Sequence, residues 1–163
     1  MNRLDTERIN KHSPYFVTYS ERYLVFTSDY GITYQVCFEE DDNPYATAYW
    51  FNLANPENKK SPGDVKIPQT LICIIEEFFR QNPDILLYIC SRSKGQQAQR
   101  ARLFFRWFSG YEQRQKYVIR TTDVRGEGVV EYVALIAQRT HPDIEDILFR
   151  FDEEIKMFNE MKP

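Results

Sequence analysis

Apolar and polar residues alternate through the early part of the chain. Between Tyr15 and Leu53 the sequence is rich in aromatic and β-branched residues, and turn-forming stretches interrupt it at 20–22, 28–31 and 39–44. The alternation is clearest over residues 32–39, where Ile32, Tyr34, Val36 and Phe38 share one face of an extended chain. This pattern predicts a four-strand antiparallel meander. Its fourth strand, Ala46–Leu53, is expected in the middle of the sheet because it carries three bulky aromatic residues in succession.

Three later segments repeat their apolar residues at helical spacing, and two further stretches have the short apolar runs of strands. The predicted helices cover 67–81, 96–109 and 143–159. The run Ile85–Cys90 predicts a buried strand, which a right-handed crossover would connect to the meander. Lys116–Thr122 and Val130–Gln138 predict a hairpin that closes at the glycine-containing turn 125–128.

These elements predict a single α+β domain over residues 1–163. Its mixed, mostly antiparallel sheet has about seven strands, in the order four-strand meander, helix, strand, helix, hairpin and C-terminal helix. Residues 1–13 are polar and are expected to form an irregular N-terminal segment. With 42% hydrophobic and 15% aromatic residues, the chain can form a core of its own.

The chain carries no signal for a membrane, a secretory route or a metal. Its longest apolar runs are much shorter than the roughly 18 residues that cross a bilayer, and its first residues form no signal region. Cys37, Cys73 and Cys90 form no C-x-x-C pair, which fits a reducing compartment. His12 and His141 lack neighbours at metal-ligand spacing. We therefore expect a cytoplasmic protein without a metal site or a membrane partner.

Positive charge is concentrated in one window of the sequence. Residues 91–120 contain eight basic residues and one acidic residue, a net charge of +7, whereas the whole chain carries −3. The rest of the chain therefore carries −10, so we expect a basic face on an acidic protein. Nucleic acid is the less favoured anionic partner, because the overall charge is negative and no nucleic-acid-binding motif is present.

The start of this window has the composition of an anion site. It connects the predicted strand at Ile85–Cys90 to the second predicted helix, so main-chain N–H groups and nearby cations could converge on a phosphate or on coenzyme A. The candidate ligand-binding residues are Arg92, Ser93, Lys94, Gly95 and Arg100. The alternative is a solvated row of arginines that pairs with the acidic last helix.

Two other groups of residues admit both a structural and a chemical interpretation. Cys90 lies at a strand end beside Arg92 and Lys94, where a thiolate could be stabilised, although most cysteines in such positions are core residues. Glu76 and Glu77 lie on a largely apolar helix, where either could act as a base facing a cleft or could mark an exposed helix edge. No catalytic motif decides between these interpretations.

Three stretches of the chain resemble an uncharacterised family of small bacterial proteins: YWFNLANPENKKSP, ICIIEEFFRQNPDILLYICS and QQAQRARLFFRWF. This resemblance implies a domain of unknown function. The succession of elements is also similar to the core of the GNAT N-acyltransferase superfamily. There a glycine-rich loop holds the coenzyme A pyrophosphate; the matching region, Asn52–Ile67, has only Gly63, and Phe105 stands where such enzymes often place a tyrosine. The resemblance therefore implies a degenerate relative.

Two functional hypotheses follow, from different classes. The first is an acyltransferase-like domain that binds coenzyme A, acyl-CoA or phosphate through the anion-site residues. The second is a non-enzymatic interaction module, whose basic, aromatic-rich face meets an acidic protein partner.

Overall fold

The computed structural model of the chain describes residues 1–91, 106, 108, 110–126 and 129–160. In chain order the elements are α1 (Thr6–Asn10), β1 (Thr18–Ser20), β2 (Tyr23–Thr27), β3 (Thr33–Asp41), β4 (Ala48–Ala54), α2 (Lys66–Gln81), β5 (Ile85–Ser91), a 3-10 helix (Glu112–Lys116), β6 (Tyr117–Gly126), β7 (Val129–Gln138) and α3 (Ile144–Glu160). The seven strands form one mixed sheet in the order β1-β2-β3-β4-β5-β7-β6. The α+β class and the seven-strand sheet are confirmed.

The meander follows the alternation of the sequence closely. On β3, Tyr34 and Val36 are fully buried, while the polar neighbours of these two residues are partly exposed. Strand β4 is fourth of the seven, so its predicted central position is confirmed. Its consecutive aromatic residues need burial on both faces, which only an interior strand provides.

Strand β5 pairs in a different direction with each of its two neighbours. It runs parallel to β4, with Ala48 opposite Ile85 and Trp50 opposite Leu87, and antiparallel to β7, with Leu86 opposite Ile136 and Ser91 opposite Glu131. A parallel neighbour requires a crossover connection, and α2 lies within that connection. The predicted buried strand and its parallel pairing are both confirmed.

The hairpin of β6 and β7 is longer than predicted. The sequence suggested a turn at 125–128, but Arg125 pairs with Val130 and Gly126 pairs with Val129. Only residues 127–128 connect the strands. The turn prediction was therefore too wide, since an antiparallel ladder can continue up to a two-residue connection.

The predicted helices have different outcomes. α2 and α3 match the predictions for 67–81 and 143–159 to within one residue at each end. Most of the predicted helix 96–109 lies outside the described residues. Within it, Arg106 and Phe108 are helical, and the Gly110 N–H donates to the Arg106 carbonyl at 3.3 Å.

The chain divides into two compact units. The first comprises residues 1–39 and 51–83, and the second comprises residues 40–50 and 84–163. In the first unit, Ile74 and Phe78 of α2 are fully buried, and the Phe78 ring stacks on Phe38 with centroids 5.1 Å apart. In the second unit, Ile147 and Phe151 of α3 pack in a cluster with apolar residues of β4, β5, β6 and β7.

A short helix lies in the N-terminal segment that was expected to be irregular. Asp5 caps α1 by accepting hydrogen bonds from the Glu7 N–H at 2.9 Å and the Arg8 N–H at 3.4 Å. Leu4 and Ile9 flank the cap and are almost fully buried, in the positions of a hydrophobic staple. The sequence signal was present, but it is confined to six residues.

The carboxylate of Glu77 joins this segment to α2. Its oxygens accept hydrogen bonds from the Asp5 N–H at 2.9 Å and from Arg80 Nε at 2.5 Å, and Arg8 Nε lies 3.7 Å away. The residue is only 4% exposed. A buried carboxylate is tolerated when it is paired and hydrogen-bonded, and both conditions are met here.

We expect the substitution Glu77→Ala to lower the free energy of unfolding by about 1–3 kcal/mol, because it leaves the Asp5 N–H without its acceptor and removes the partner of two arginines. Denaturant unfolding measures the change. Glu57→Ala is the matched control, since Glu57 forms a surface pair with Lys59 and its loss should change stability by less than about 0.5 kcal/mol. Equal stability of Glu77→Ala and the control would contradict this role.

We also expect one cooperative unfolding transition. Strands β3 and β4 each contribute residues to both units, so neither unit contains a complete set of strands. Trp50 belongs to the second unit, so the tryptophan fluorescence of a Trp107→Phe variant reports on that unit while far-ultraviolet circular dichroism reports on both. The two thermal curves should coincide. Separate midpoints would show that the units unfold independently.

Candidate functional site

The predicted anion-site residues are not among those that the structure describes. Arg92, Ser93, Lys94, Gly95 and Arg100 all lie outside the described ranges, so the site stays a prediction. The structure does describe β5, the strand that immediately precedes these residues in the chain. β5 ends at Ser91, whose neighbour on β7 is Glu131, close to the β6–β7 connection.

The later part of the basic window lies at the other end of the same ladder. Lys116 immediately precedes β6, whose first residue, Tyr117, pairs with Gln138 at the end of β7. Glu131, opposite Ser91, is seven positions from Gln138 along β7. At about 3.3 Å per residue, this places the two ends roughly 23 Å apart. The expectation of one basic face stays a prediction, because Arg92, Lys94, Arg100 and Arg102 lie outside the described ranges.

The segment just before β6 is joined to the end of β7 by Arg139, which sequence analysis did not single out. Its N–H donates to the Lys116 carbonyl at 2.8 Å, and its Nε donates to the Gln115 carbonyl at 2.9 Å. Lys116 is exposed and Arg114 is partly exposed. We call Arg114, Lys116 and Arg139 the basic edge. Strand pairing brings residue 139 beside residue 116, which no local pattern reveals.

One arginine of the window pairs with the C-terminal helix. Arg120 on β6 forms an ion pair with Asp152 on α3. For this residue the structural interpretation, pairing with the acidic last helix, is confirmed. Arg106 is exposed.

The described cysteines have thiols that are harder to ionise than usual. Burial, with a smaller contribution from the nearby Glu76, raises the pKa of Cys73 to about 11. Burial also raises the pKa of Cys37, with Glu39 acting in the same direction. Nucleophilic cysteines need a lowered pKa, so neither thiol suits that role. Cys90 belongs to β5, and its side chain is outside the described part of the chain.

Glu77 fits neither interpretation that the sequence allowed. The residue is buried rather than on an exposed helix edge, and its oxygens are engaged by the N-terminal segment and by Arg80. A general base needs a lone pair directed at a substrate. Glu77 therefore acts as a structural anchor.

Tyr15 has a raised pKa within a second polar group of the first unit. Its hydroxyl donates to the Asp64 carboxylate and accepts from the Asp29 N–H at 3.2 Å, while Lys66 Nζ lies 2.7 Å from Asp29 Oδ2. Burial is the main cause that raises the Tyr15 pKa to about 12, and the Asp64 carboxylate adds to it. A phenol so hard to ionise is a poor acid at neutral pH. These contacts tie the β2–β3 turn to the start of α2.

A third set of titratable groups lies at the start of β5. Burial raises the pKa of Asp84; His141 lowers it, and Glu40 raises it. Burial also raises the pKa of Tyr49, and the charge of Asp84 adds to that effect.

Within the described residues, no group of three or more histidine, cysteine or carboxylate side chains could hold a metal ion. Nor does any described helix combine the length and the apolar character that crossing a membrane requires.

The most unusual surface in the described part is the outer face of α3. We use this name for six residues that all lie on the solvent side, Glu145, Phe149, Glu153, Lys156, Met157 and Glu160. Phe149 is 65% exposed and Met157 is 58% exposed, whereas Ile147 and Phe151 on the opposite side are buried. Sequence analysis predicted acidic residues on this side but not a protruding aromatic ring among them.

Comparison with known proteins gives one match. A family of unknown function (DUF6169) matches residues 63–153, which is more than half of the chain. The chain belongs to this family. The matched range begins before α2 and ends within α3, so it includes the strand β5, the hairpin and the basic window. No curated protein and no solved structure matches the chain.

We expect Cys73 to react slowly with alkylating agents at neutral pH. The double substitution Cys37→Ser/Cys90→Ser leaves Cys73 as the single thiol. Because burial disfavours the thiolate and raises the pKa to about 11, the alkylation rate should rise about tenfold per pH unit between pH 8 and pH 10. The same variant in denaturant, whose thiol has an ordinary pKa, is the control. A rate that levels off by pH 9 in the folded protein would contradict the raised pKa.

Proposed function

We propose that the domain is a degenerate, acyltransferase-like domain that binds an anionic acyl carrier, such as coenzyme A or acyl-CoA, just beyond the carboxyl end of β5. The observation that supports this most directly is the position of β5. It has a parallel neighbour on one side and an antiparallel hairpin on the other, and the predicted anion residues follow its last residue directly. Ligands in open sheets with parallel strands characteristically bind beyond the carboxyl ends of those strands.

The succession of strands agrees with the GNAT resemblance of the sequence. A meander leads through a crossover into β5, and the final hairpin places β7 rather than β6 beside it. Fold likeness alone does not assign an activity, so the proposal depends on the chemistry of the residues after Ser91. Arg92 and Lys94 supply two positive charges, and the predicted start of the following helix would supply N–H groups.

The basic edge lies outside the proposed site. A pyrophosphate group spans only a few ångströms, so a group bound next to Ser91, the last residue of β5, cannot also contact the basic edge roughly 23 Å away. The proposed ligand site is therefore confined to Arg92, Ser93, Lys94, Gly95 and Arg100.

Binding rather than turnover is the proposed activity. The resemblance places Phe105, which has no proton to donate, where acyltransferases often carry a tyrosine. Cys37, Cys73 and Glu77 are unsuited to nucleophilic or base catalysis for the reasons given above. A domain of this kind would hold an acyl carrier without transferring its acyl group.

Thermal unfolding with and without coenzyme A tests the proposal. Coenzyme A at about 100 times its dissociation constant should stabilise the fold by about 2.7 kcal/mol, and Arg92→Ala/Lys94→Ala should remove most of that shift. The matched control is Arg114→Ala/Lys116→Ala, which removes the same charge at the basic edge and should keep the shift. No shift with coenzyme A or acetyl-CoA, or equal loss in both double variants, would contradict the proposed site.

A further inference from the structure

The outer face of α3 combines two features that seldom occur together on a solvated helix. Phe149 and Met157 are both more than half exposed, and Glu153 lies between them at a spacing of four residues from each. Single exposed apolar residues are common on protein surfaces. The two large ones on this side of the helix lie roughly 12 Å apart along the axis, within reach of a single partner segment.

The charges on this helix are strongly unbalanced. α3 carries six carboxylates and two basic residues, Arg150 and Lys156. Three of the carboxylates have partners within the second unit: Asp146 with Arg150, Asp152 with Arg120, and Glu154 with the hydroxyl of Tyr45. For the other three, Glu145, Glu153 and Glu160, the described residues provide no ion-pair partner, and all three belong to the outer face.

We propose that the outer face of α3 is a docking surface for a cationic, amphipathic segment of another protein. The apolar side chains of the partner would cover Phe149 and Met157, and its lysines or arginines would lie opposite Glu145, Glu153 and Glu160. This inference is independent of the proposed anion site, which lies elsewhere in the sequence and would bind a partner of the opposite charge.

Charge decides between this partner and the other candidates. A second copy of the chain, paired antiparallel about Glu153, would match Phe149 with Met157. The same pairing would place Glu160 opposite Asp146 and Lys156 opposite Arg150, so like charges would face each other along the helix. Anionic lipid surfaces and nucleic acids would meet repulsion from the unpaired carboxylates. Only a basic partner satisfies both the apolar and the acidic residues.

The helix is also fixed in place before any partner arrives. Ile147 and Phe151 are buried against the strands, and Asn159 donates to the Asp123 carbonyl at 3.1 Å near the other end. The ion pair of Arg120 with Asp152 holds the middle of the helix to β6. A rigid surface loses little conformational entropy on binding, so more of the interaction free energy remains as affinity for the partner.

The probe is a labelled synthetic helical peptide that repeats the spacing of the outer face. It carries leucine at the positions corresponding to Phe149 and Met157, and arginine at those corresponding to the three unpaired glutamates. A second peptide carries glutamate in place of each arginine. Fluorescence anisotropy with the full chain measures the dissociation constants at low and at physiological salt, since an ionic contribution is weakened by screening.

We expect saturable binding of the arginine peptide and none of the glutamate peptide. Phe149→Ser/Met157→Ser should weaken binding about tenfold or more, as truncation of central contact residues typically does. Glu145→Gln/Glu153→Gln/Glu160→Gln should weaken it as well and should remove most of its salt dependence. All these positions are exposed, so the thermal midpoints should stay close to that of the unchanged chain.

The matched control is Phe16→Ser, because Phe16 is 72% exposed and belongs to the first unit. It should leave peptide binding unchanged. The proposal is overturned if the arginine peptide shows no saturable binding, if the glutamate peptide binds equally well, or if Phe16→Ser weakens binding as much as the α3 variants do.

Discussion

The fold of this protein depends on hydrogen bonding along both edges of β5. Ile85, Leu86 and Leu87 are almost completely buried, so their backbone N–H and C=O groups have no access to water and must pair with neighbouring strands. β4 supplies a parallel edge and β7 an antiparallel one. Once these two pairings exist, the crossover through α2 and the position of the hairpin follow.

The elements that the sequence predicted well are those whose signals are local and long. The alternation of β3 and the helical stripes of α2 and α3 each extend over several repeats, so a shift of one residue would expose apolar side chains. α1 was missed because five helical residues supply barely one period, although the Leu4 and Ile9 staple was legible. The anchoring role of Glu77 could not be predicted, because its main-chain donor, Asp5, lies 72 residues earlier in the chain.

The functional predictions were limited in the same way, because a sequence displays local patterns but not long-range placement. Net charge in a sequence window is a sum over residues, and it contains no information on where folding places them. For the window 91–120, the hairpin register places the start of β6 at the opposite end of β7 from Ser91, a relation that no residue count contains. On α3, the helical period separated the core stripe from the polar side correctly. It could not indicate that Phe149 would remain uncovered, since an aromatic residue among carboxylates can equally well be shielded by a neighbouring element.

The attachment of the N-terminal segment to the end of α2 has a consequence for synthesis on the ribosome. The Asn2 N–H bonds to the Asn82 side chain, 80 residues later, and the Asn2 side chain bonds to the Gln81 carbonyl. At about 5–20 residues per second, a chain that has just exposed its first helix must wait roughly 4–16 seconds for these partners to be made. During that interval Asn2 and Asp5 lack the Asn82, Gln81 and Glu77 partners that hold them in the folded chain. The earliest residues of the chain therefore reach these contacts only after residue 82 has been made, and a chaperone that binds short apolar segments would meet them first.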